Sequence, residues 1–214
     1  MNVFDGKYWR NNFLKSGIIL AGGEAKRAGG MEKYHFSYNG ETFIDRLMFT
    51  LKESVDEIII VARDESHCQR FVDIQGVKIV SDIRKGTGPV GGLHAGIKAA
   101  SGDTLFAVAC DMPFVNKNVI DRLFEMINDY EAVIPCWNNS EKDMIEPLHA
   151  VYKKEALEKY LASHKSLSLR EMVKSIRSYY LNVDMLRDID PKLMTFVNIN
   201  HLEDLERLKM GDFL

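Results

Sequence analysis

Short apolar runs alternate with amphipathic stripes along most of this chain. Ile18, Ile19 and Leu20 form the first run. Ile44, Leu47, Met48 and Leu51 recur at i, i+3, i+4 and i+7, the spacing of one helix face, and Thr42 with Asp45 three residues on supplies a capping start. Glu57-Ile58-Ile59-Ile60-Val61-Ala62 predicts a strand buried on both faces, residues 65–71 a weaker helix, and Val77-Lys78-Ile79-Val80 a third strand. A glycine-rich loop over 81–92 leads into a small-residue helix ending near Ser101-Gly102. Residues 104–110, TLFAVAC, predict another buried strand, closed by Asp111-Met112-Pro113 and followed by a helix over about 116–127. Near-continuous apolar strands separated by helices imply a parallel sheet covered on both faces.

Beyond Glu131 the pattern loosens. Residues 132–135 and 147–152 predict strands joined by a polar excursion over 137–143, which suggests a mixed sheet with a substrate-facing hairpin. Helices are expected over 154–161 and 167–175, a last strand over 196–199 and a final helix over 202–208. The expected fold class is α/β: a Rossmann-like three-layer α/β/α arrangement, its central sheet mostly parallel and mixed in the C-terminal half. Residues 1–15 read as an extension and 16–214 as a single domain.

Composition narrows the class of protein. With 214 residues, 46% hydrophobic and 28% charged, the chain can supply a sizeable core. Its 28 basic and 31 acidic residues give a formal charge of −3 with no long block of either sign, so neither nucleic acid nor a membrane surface is an expected partner. Cys68, Cys110 and Cys136 lie far apart without CxxC spacing, which argues against a zinc site or a disulfide scaffold and fits a reducing compartment. The N-terminal stretch MNVFDGKYWRNNFLK lacks an apolar signal core, and no apolar run approaches membrane-spanning length. The expected location is the cytoplasm.

The chemistry concentrates in residues 17–33, GIILAGGEAKRAGGMEK. Glycines at 22, 23, 29 and 30 free backbone N–H groups to face an anion, and Lys26, Arg27 and Lys33 add positive charge. A polyphosphate is the natural guest, although no Walker A pattern can be drawn here. Residues 86–91 form a formal GxGxxG with Asp111 beyond it. Against a dinucleotide site stand the residues 81–85 between strand and glycines, and Pro89, which removes a backbone donor.

Asp111 sits at the carboxyl end of a buried strand, where open parallel sheets bind ligands, and Asp82 is placed similarly. Such carboxylates hold Mg²⁺ or hydrogen-bond a base and ribose; they also cap turns. Asn200 precedes the last helix and suits either an N-cap or a carbonyl ligand for a hard cation. Glu146, His149, Trp9 and Trp137 carry no spacing that selects chemistry, and His149 reads as a half-buried histidine. No serine, cysteine or histidine pattern marks a covalent nucleophile.

LAGGEAKRAGGMEK, residues 20–33, resembles the LAGGxSxRMGxxK loop of nucleotidyltransferases with a GT-A-like fold. Within them the chain resembles the MobA-type molybdenum cofactor guanylyltransferases. Ser81-Asp82 with Gly88-Pro89-Val90-Gly91-Gly92, Cys110-Asp111-Met112-Pro113, Pro147-Leu148-His149-Ala150-Val151-Tyr152 and Phe196-Val197-Asn198-Ile199-Asn200 carry the likeness onward in the same order. The LAGG form of the first loop and the GP-type second loop match guanine-using members, so GTP is the implied donor.

The resemblance implies that Leu20, Ala21, Gly22 and Gly23 border guanine and ribose, and that Arg27 and Lys33 contact the triphosphate. Asp82 would touch the nucleoside, Asp111 would bind Mg²⁺ and Asn200 would complete the metal shell. Arg27, Lys33 and Asp111 are the implied catalytic residues. The implied reaction moves GMP from GTP to the terminal phosphate of molybdopterin or Mo-molybdopterin and releases pyrophosphate. Residues 16–130 would then hold the nucleotide and 131–214 the acceptor. Other molybdenum cofactor biosynthesis proteins and acceptor molybdoenzymes are the implied partners.

The chain departs from the family pattern at Ala25, at Ala28 in place of Met, at Val61-Ala62-Arg63-Asp64, which lacks an asparagine, and at His201-Leu202 in place of Thr-Pro. Two other readings stand beside this one. The first is a nucleotidyltransferase of the same fold acting on a sugar phosphate or other small phosphorylated acceptor. The second is a non-catalytic nucleotide-binding module.

Overall fold

A computed structural model describes residues 14–22, 32–82, 88–138, 144–163 and 166–210. Strand β1 (Lys15–Leu20) is followed by a small hairpin, β2 (Ser37–Tyr38) and β3 (Glu41–Thr42), and by helix α1 (Phe43–Lys52). Thr42 caps α1 by accepting from the Asp45 N–H, as the sequence leads one to expect. Then come β4 (Glu57–Ala62), the short α2 (Glu65–Cys68), β5 (Lys78–Ser81), α3 (Gly88–Ala99), β6 (Thr104–Ala109) and α4 (Lys117–Met126). The C-terminal part adds β7 (Ala132–Cys136), β8 (His149–Lys153), α5 (Lys154–Ser163), α6 (Leu169–Ser175), β9 (Ser178–Asn182) and α7 (Leu202–Met210). No helix among the described residues is long and apolar enough to cross a membrane.

The main sheet has the order β5-β4-β1-β6-β8-β7-β9. Every neighbouring pair is parallel except those made by β8, which runs against both β6 and β7. Side chains alternate across the sheet because strand residues have a period of two. Ile19, Ile58, Ile60, Phe106 and Val108 pack on one side with Leu47 and Leu51 of α1 and Leu123 of α4. Ile18, Ile59, Val61, Leu105 and Ala107 pack on the other with Leu93 and Ile97 of α3, Leu157 of α5 and Met172 of α6. Three layers result, as expected, and the single reversed strand makes the C-terminal half mixed.

Three local expectations are corrected. The segment 88–92 is not loop but the start of α3. Its glycines let the helix lie on the sheet: a Cβ at Gly96 would stand 2.6 Å from Ile18 Cγ2, and one at Gly92 would stand 3.3 Å from Leu20 Cδ2. Pro89 is tolerated in the first helical turn, where N–H groups lack helical partners anyway.

Residues 196–199 do not form a strand. The Val197 N–H closes a turn on Met194 O, and the Ile199 N–H donates to Asp111 O at 2.8 Å, so these donors go to a tight turn and to the end of β6. The outer strand is instead β9, parallel to β7. Of its residues only Leu181 is fully buried, which is why no strong alternation announces it.

Candidate active site

The parallel strands β5, β4, β1, β6, β7 and β9 present their carboxyl ends at one edge of the sheet. Leu20 closes β1, and the Ala21 N–H still donates to Val61 O at 2.9 Å, so the chain follows β4 for one more step. Gly22 then lies against the backbone of Arg63. A Cβ there would stand 3.1 Å from Arg63 Cα and 3.2 Å from its nitrogen, so a side chain would have to push the Arg63 backbone back by a few tenths of an ångström, and glycine avoids this. Gly23 and Arg27 lie outside the described residues.

Glu32 leads into a tight turn, Lys33–His35. This turn carries Lys33 to the sheet edge, where its ammonium donates to Asp111 Oδ2 at 2.8 Å and to Asn200 Oδ1 at 2.7 Å. Three predicted site residues, 78 and 167 positions apart from Lys33, thus meet at one point. Asp111 is held by its own backbone: the Cys110 N–H donates to Leu20 O at 3.1 Å, and Asp111 O receives the Ile199 N–H.

Asn200 is not the capping side chain of α7. Asp204, in the first turn, accepts from the N–H groups of Asn200 and His201, each at 2.8 Å. That leaves the Asn200 amide oxygen turned to Lys33.

Asp111 also has a spare oxygen. Its Oδ1 is buried and has no hydrogen-bond partner among the described residues, a costly arrangement for a carboxylate unless a cation or donor arrives. Among the described residues there is no group of three or more His, Cys, Asp or Glu able to cage a metal. A divalent ion here would therefore take few protein ligands, all oxygen, which suits Mg²⁺ completed by water and phosphate.

Asp82 follows β5 on the same edge, its N–H donating to Ala62 O at 2.8 Å. Between it and Asp111 lie β4 and β1, and three strand spacings separate the two positions by about 14 Å. The structure therefore places Asp82 along the same rim without bringing it to the lysine. Leu20 packs toward Gly92, and Ala21 is buried.

On the other flank of β6, Trp137 Nε1 donates to Glu146 Oε1 at 2.9 Å, and burial pushes the Glu146 carboxyl above its usual range. No spacing in the sequence singled out this pair. His149 lies deeper, its Nε2 3.1 Å from Thr195 Oγ1 between the rings of Phe106 and Phe196. Cys110 is no thiolate nucleophile, because burial and then the Asp111 charge push its thiol up to about 12.

Residues 17–180 match the family described as MobA-like NTP transferase domain. A probable molybdenum cofactor guanylyltransferase of Methanosarcina mazei is 36% identical over 204 residues, covering 91% of this chain and 90% of that protein. The molybdenum cofactor guanylyltransferase of Desulfosudis oleivorans is 34% identical over 198 residues, covering 90% and 93%. Among solved structures, molybdopterin-guanine dinucleotide biosynthesis protein A from Archaeoglobus fulgidus superposes with a TM-score of 0.75 at 26% identity, covering 92% of this chain and 97% of that one. The family match over residues 17–180 and relatives above 30% identity along nine-tenths of the chain agree: this chain belongs to the MobA-like NTP transferase family.

Proposed function

We propose that the chain is a molybdenum cofactor guanylyltransferase, transferring GMP from GTP to the terminal phosphate of molybdopterin. The convergence of Lys33, Asp111 and Asn200 at the carboxyl edge of the sheet carries this reading. Relatives that cover nearly the whole chain and bear that name support the substrates.

In the reaction an oxygen of the acceptor phosphate bonds to the α-phosphorus of GTP, the bridging bond to the β-phosphate breaks, and pyrophosphate leaves. The nucleophile is already an anion near neutral pH, so no strong general base is needed. The enzyme must bring two anions together and spread the charge of the transferred group. Asp111, through its unpartnered Oδ1, and Asn200, through its amide oxygen, are the proposed holders of Mg²⁺, which supplies positive charge against the phosphates when bound. Lys33 sits beside both on a flexible stem and can turn its ammonium onto the triphosphate. Arg27 is the proposed second cation on that phosphate chain.

The sheet order supports a division of labour. GTP is proposed to lie across the ends of β1, β4 and β5, bordered by residues 20–23 and Asp82, and the acceptor across the start of β8 and the ends of β7 and β9. Asp111, following β6, stands between them. Residues 16–130 and 131–214 are accordingly the two halves of one proposed domain. Cytoplasmic residence, and hand-over of the product to other cofactor-biosynthesis proteins and molybdoenzymes, complete the proposal.

A thermal-shift panel tests the donor. With Mg²⁺ present, GTP should raise the melting temperature more than equal concentrations of ATP, CTP or UTP, because a ligand of the folded state at free concentration L stabilises it by RT ln(1 + L/Kd), which is larger for the tighter binder. Asp111→Ala should keep the fold and abolish transfer. Equal shifts for all four nucleotides would remove guanine selectivity, and near-normal turnover by the variant would remove the metal assignment.

A further inference from the structure

The glycine loop has a buried fastening that neither its motif nor the reaction calls for. Glu32, the residue before Lys33, is only 7% exposed, yet its carboxylate accepts from four side chains. Its Oε2 accepts from the Tyr34 hydroxyl, from His67 Nε2 at 3.0 Å and from an Arg70 nitrogen at 2.7 Å; its Oε1 accepts from Arg63 at 3.4 Å. Burial pushes this carboxyl up, but Tyr34, His67 and Arg70 outweigh it and hold it below its ordinary value.

His67 decides what the fastening connects. The Arg63 N–H donates to His67 Nδ1 at 3.1 Å, so Nδ1 is the acceptor nitrogen and the ring proton sits on Nε2, facing Glu32. The ring is 1% exposed, packed against Phe71 and Tyr34, and its backbone N–H is held by Asp64 Oδ1 at 2.8 Å. One neutral imidazole therefore joins the Arg63 backbone to Glu32. Gly22, just before the loop, packs on that same Arg63 backbone, and Glu32 ends the loop. Gly22 and Glu32, which flank residues 23–31 in the sequence, therefore meet the same residue after β4: Gly22 by close packing on the Arg63 backbone, Glu32 through His67 and the Arg63 side chain.

We propose that Glu32 and His67 are positioning residues for nucleotide binding: by tying the end of the loop to its start, they set the backbone from which Lys33 reaches the polyphosphate. This rests on the reading of Lys33 as a triphosphate contact. A fastening that served only the stability of the fold would not need to act through Lys33. One that serves binding must.

A double-mutant cycle on the full chain separates the two, with the GTP dissociation constant measured by calorimetry in Mg²⁺ buffer. Glu32→Gln keeps the shape but removes the charge and sets an amide N–H₂ against donors. It is expected to weaken GTP about tenfold in the wild-type background and less than twofold in the Lys33→Ala background. Equal weakening in both backgrounds, or none in either, overturns the proposal. Should Glu32→Gln fail to fold, His67→Gln reads the same coupling. It retains a donor toward Glu32 and removes the acceptor for the Arg63 N–H, and its several-fold loss of GTP affinity should likewise vanish without Lys33. If Lys33→Ala alone leaves GTP affinity unchanged, the triphosphate role of Lys33 fails first and takes the proposal with it.

Discussion

His149→Gln isolates the energetic consequence of burying an imidazole beneath the acceptor-side strands. His149 is fully buried at the start of β8, its ring edge-on to Phe106 at 5.2 Å and near Phe196 at 4.8 Å. Its Nε2 has Thr195 as partner and its Nδ1 has none among the described residues. Burial pulls its pKa down to about 3 from an ordinary 6.5.

The sign follows from which state takes up the proton. Below pH 6.5 the unfolded chain binds a proton at this residue and the folded chain does not, so stability is complete above 6.5 and falls as the pH falls toward 3. The slope is about 1.4 kcal/mol per pH unit, which gives about 2 kcal/mol at pH 5. That figure requires only that the folded value lie below 5. Urea unfolding of wild type and His149→Gln at pH 7.5 and pH 5.0 measures it. The wild type should lose about 2 kcal/mol more than the variant between the two conditions. His67, also buried and lowered chiefly by burial, is present in both proteins and cancels. Equal losses would refute the reasoning.

Other substitutions probe the frame. Glu57 accepts from Ser16, Lys78 and the N–H groups of Ser101 and Gly102 at the edge of the sheet opposite the site. Burial raises its carboxyl, but these partners together bring it down to about 2. Glu57→Gln should cost about 2 kcal/mol at neutral pH, after a discount for the half-exposed Lys78, and the cost should fade as pH falls from 4.5 toward 2; urea titrations across that range check both. Gly96→Ala drives a methyl onto Ile18 and should destabilise by about 1–3 kcal/mol in the same assay, with GTP affinity changed little.

The parts legible in the sequence were those set by local rules. β4 occupies the apolar run 57–62, and α1 buries the stripe Ile44, Leu47, Met48 and Leu51 behind its Thr42 cap. β9 was missed because strand pairing with β7, rather than its own weak alternation, makes it a strand. The glycines of residues 88–92 read as part of a loop because glycine permits a tight turn and close packing on a strand alike, and sequence spacing does not distinguish them. At the site, Lys33 and Asp111 stand out through their motifs. Glu32 and His67 do not, since a carboxylate and an imidazole 35 residues apart meet only after β4 and α2 are in place.

GMP transfer to molybdopterin is tested by following both products of one reaction. The purified chain is incubated with Mg²⁺, molybdopterin and GTP labelled at the α-phosphate, and pyrophosphate and labelled dinucleotide are measured together. The two should appear in equal amounts, CTP and ATP should substitute poorly, and Asp111→Ala should form neither. Absence of labelled dinucleotide while the wild-type chain binds GTP, or equal use of CTP, would contradict it.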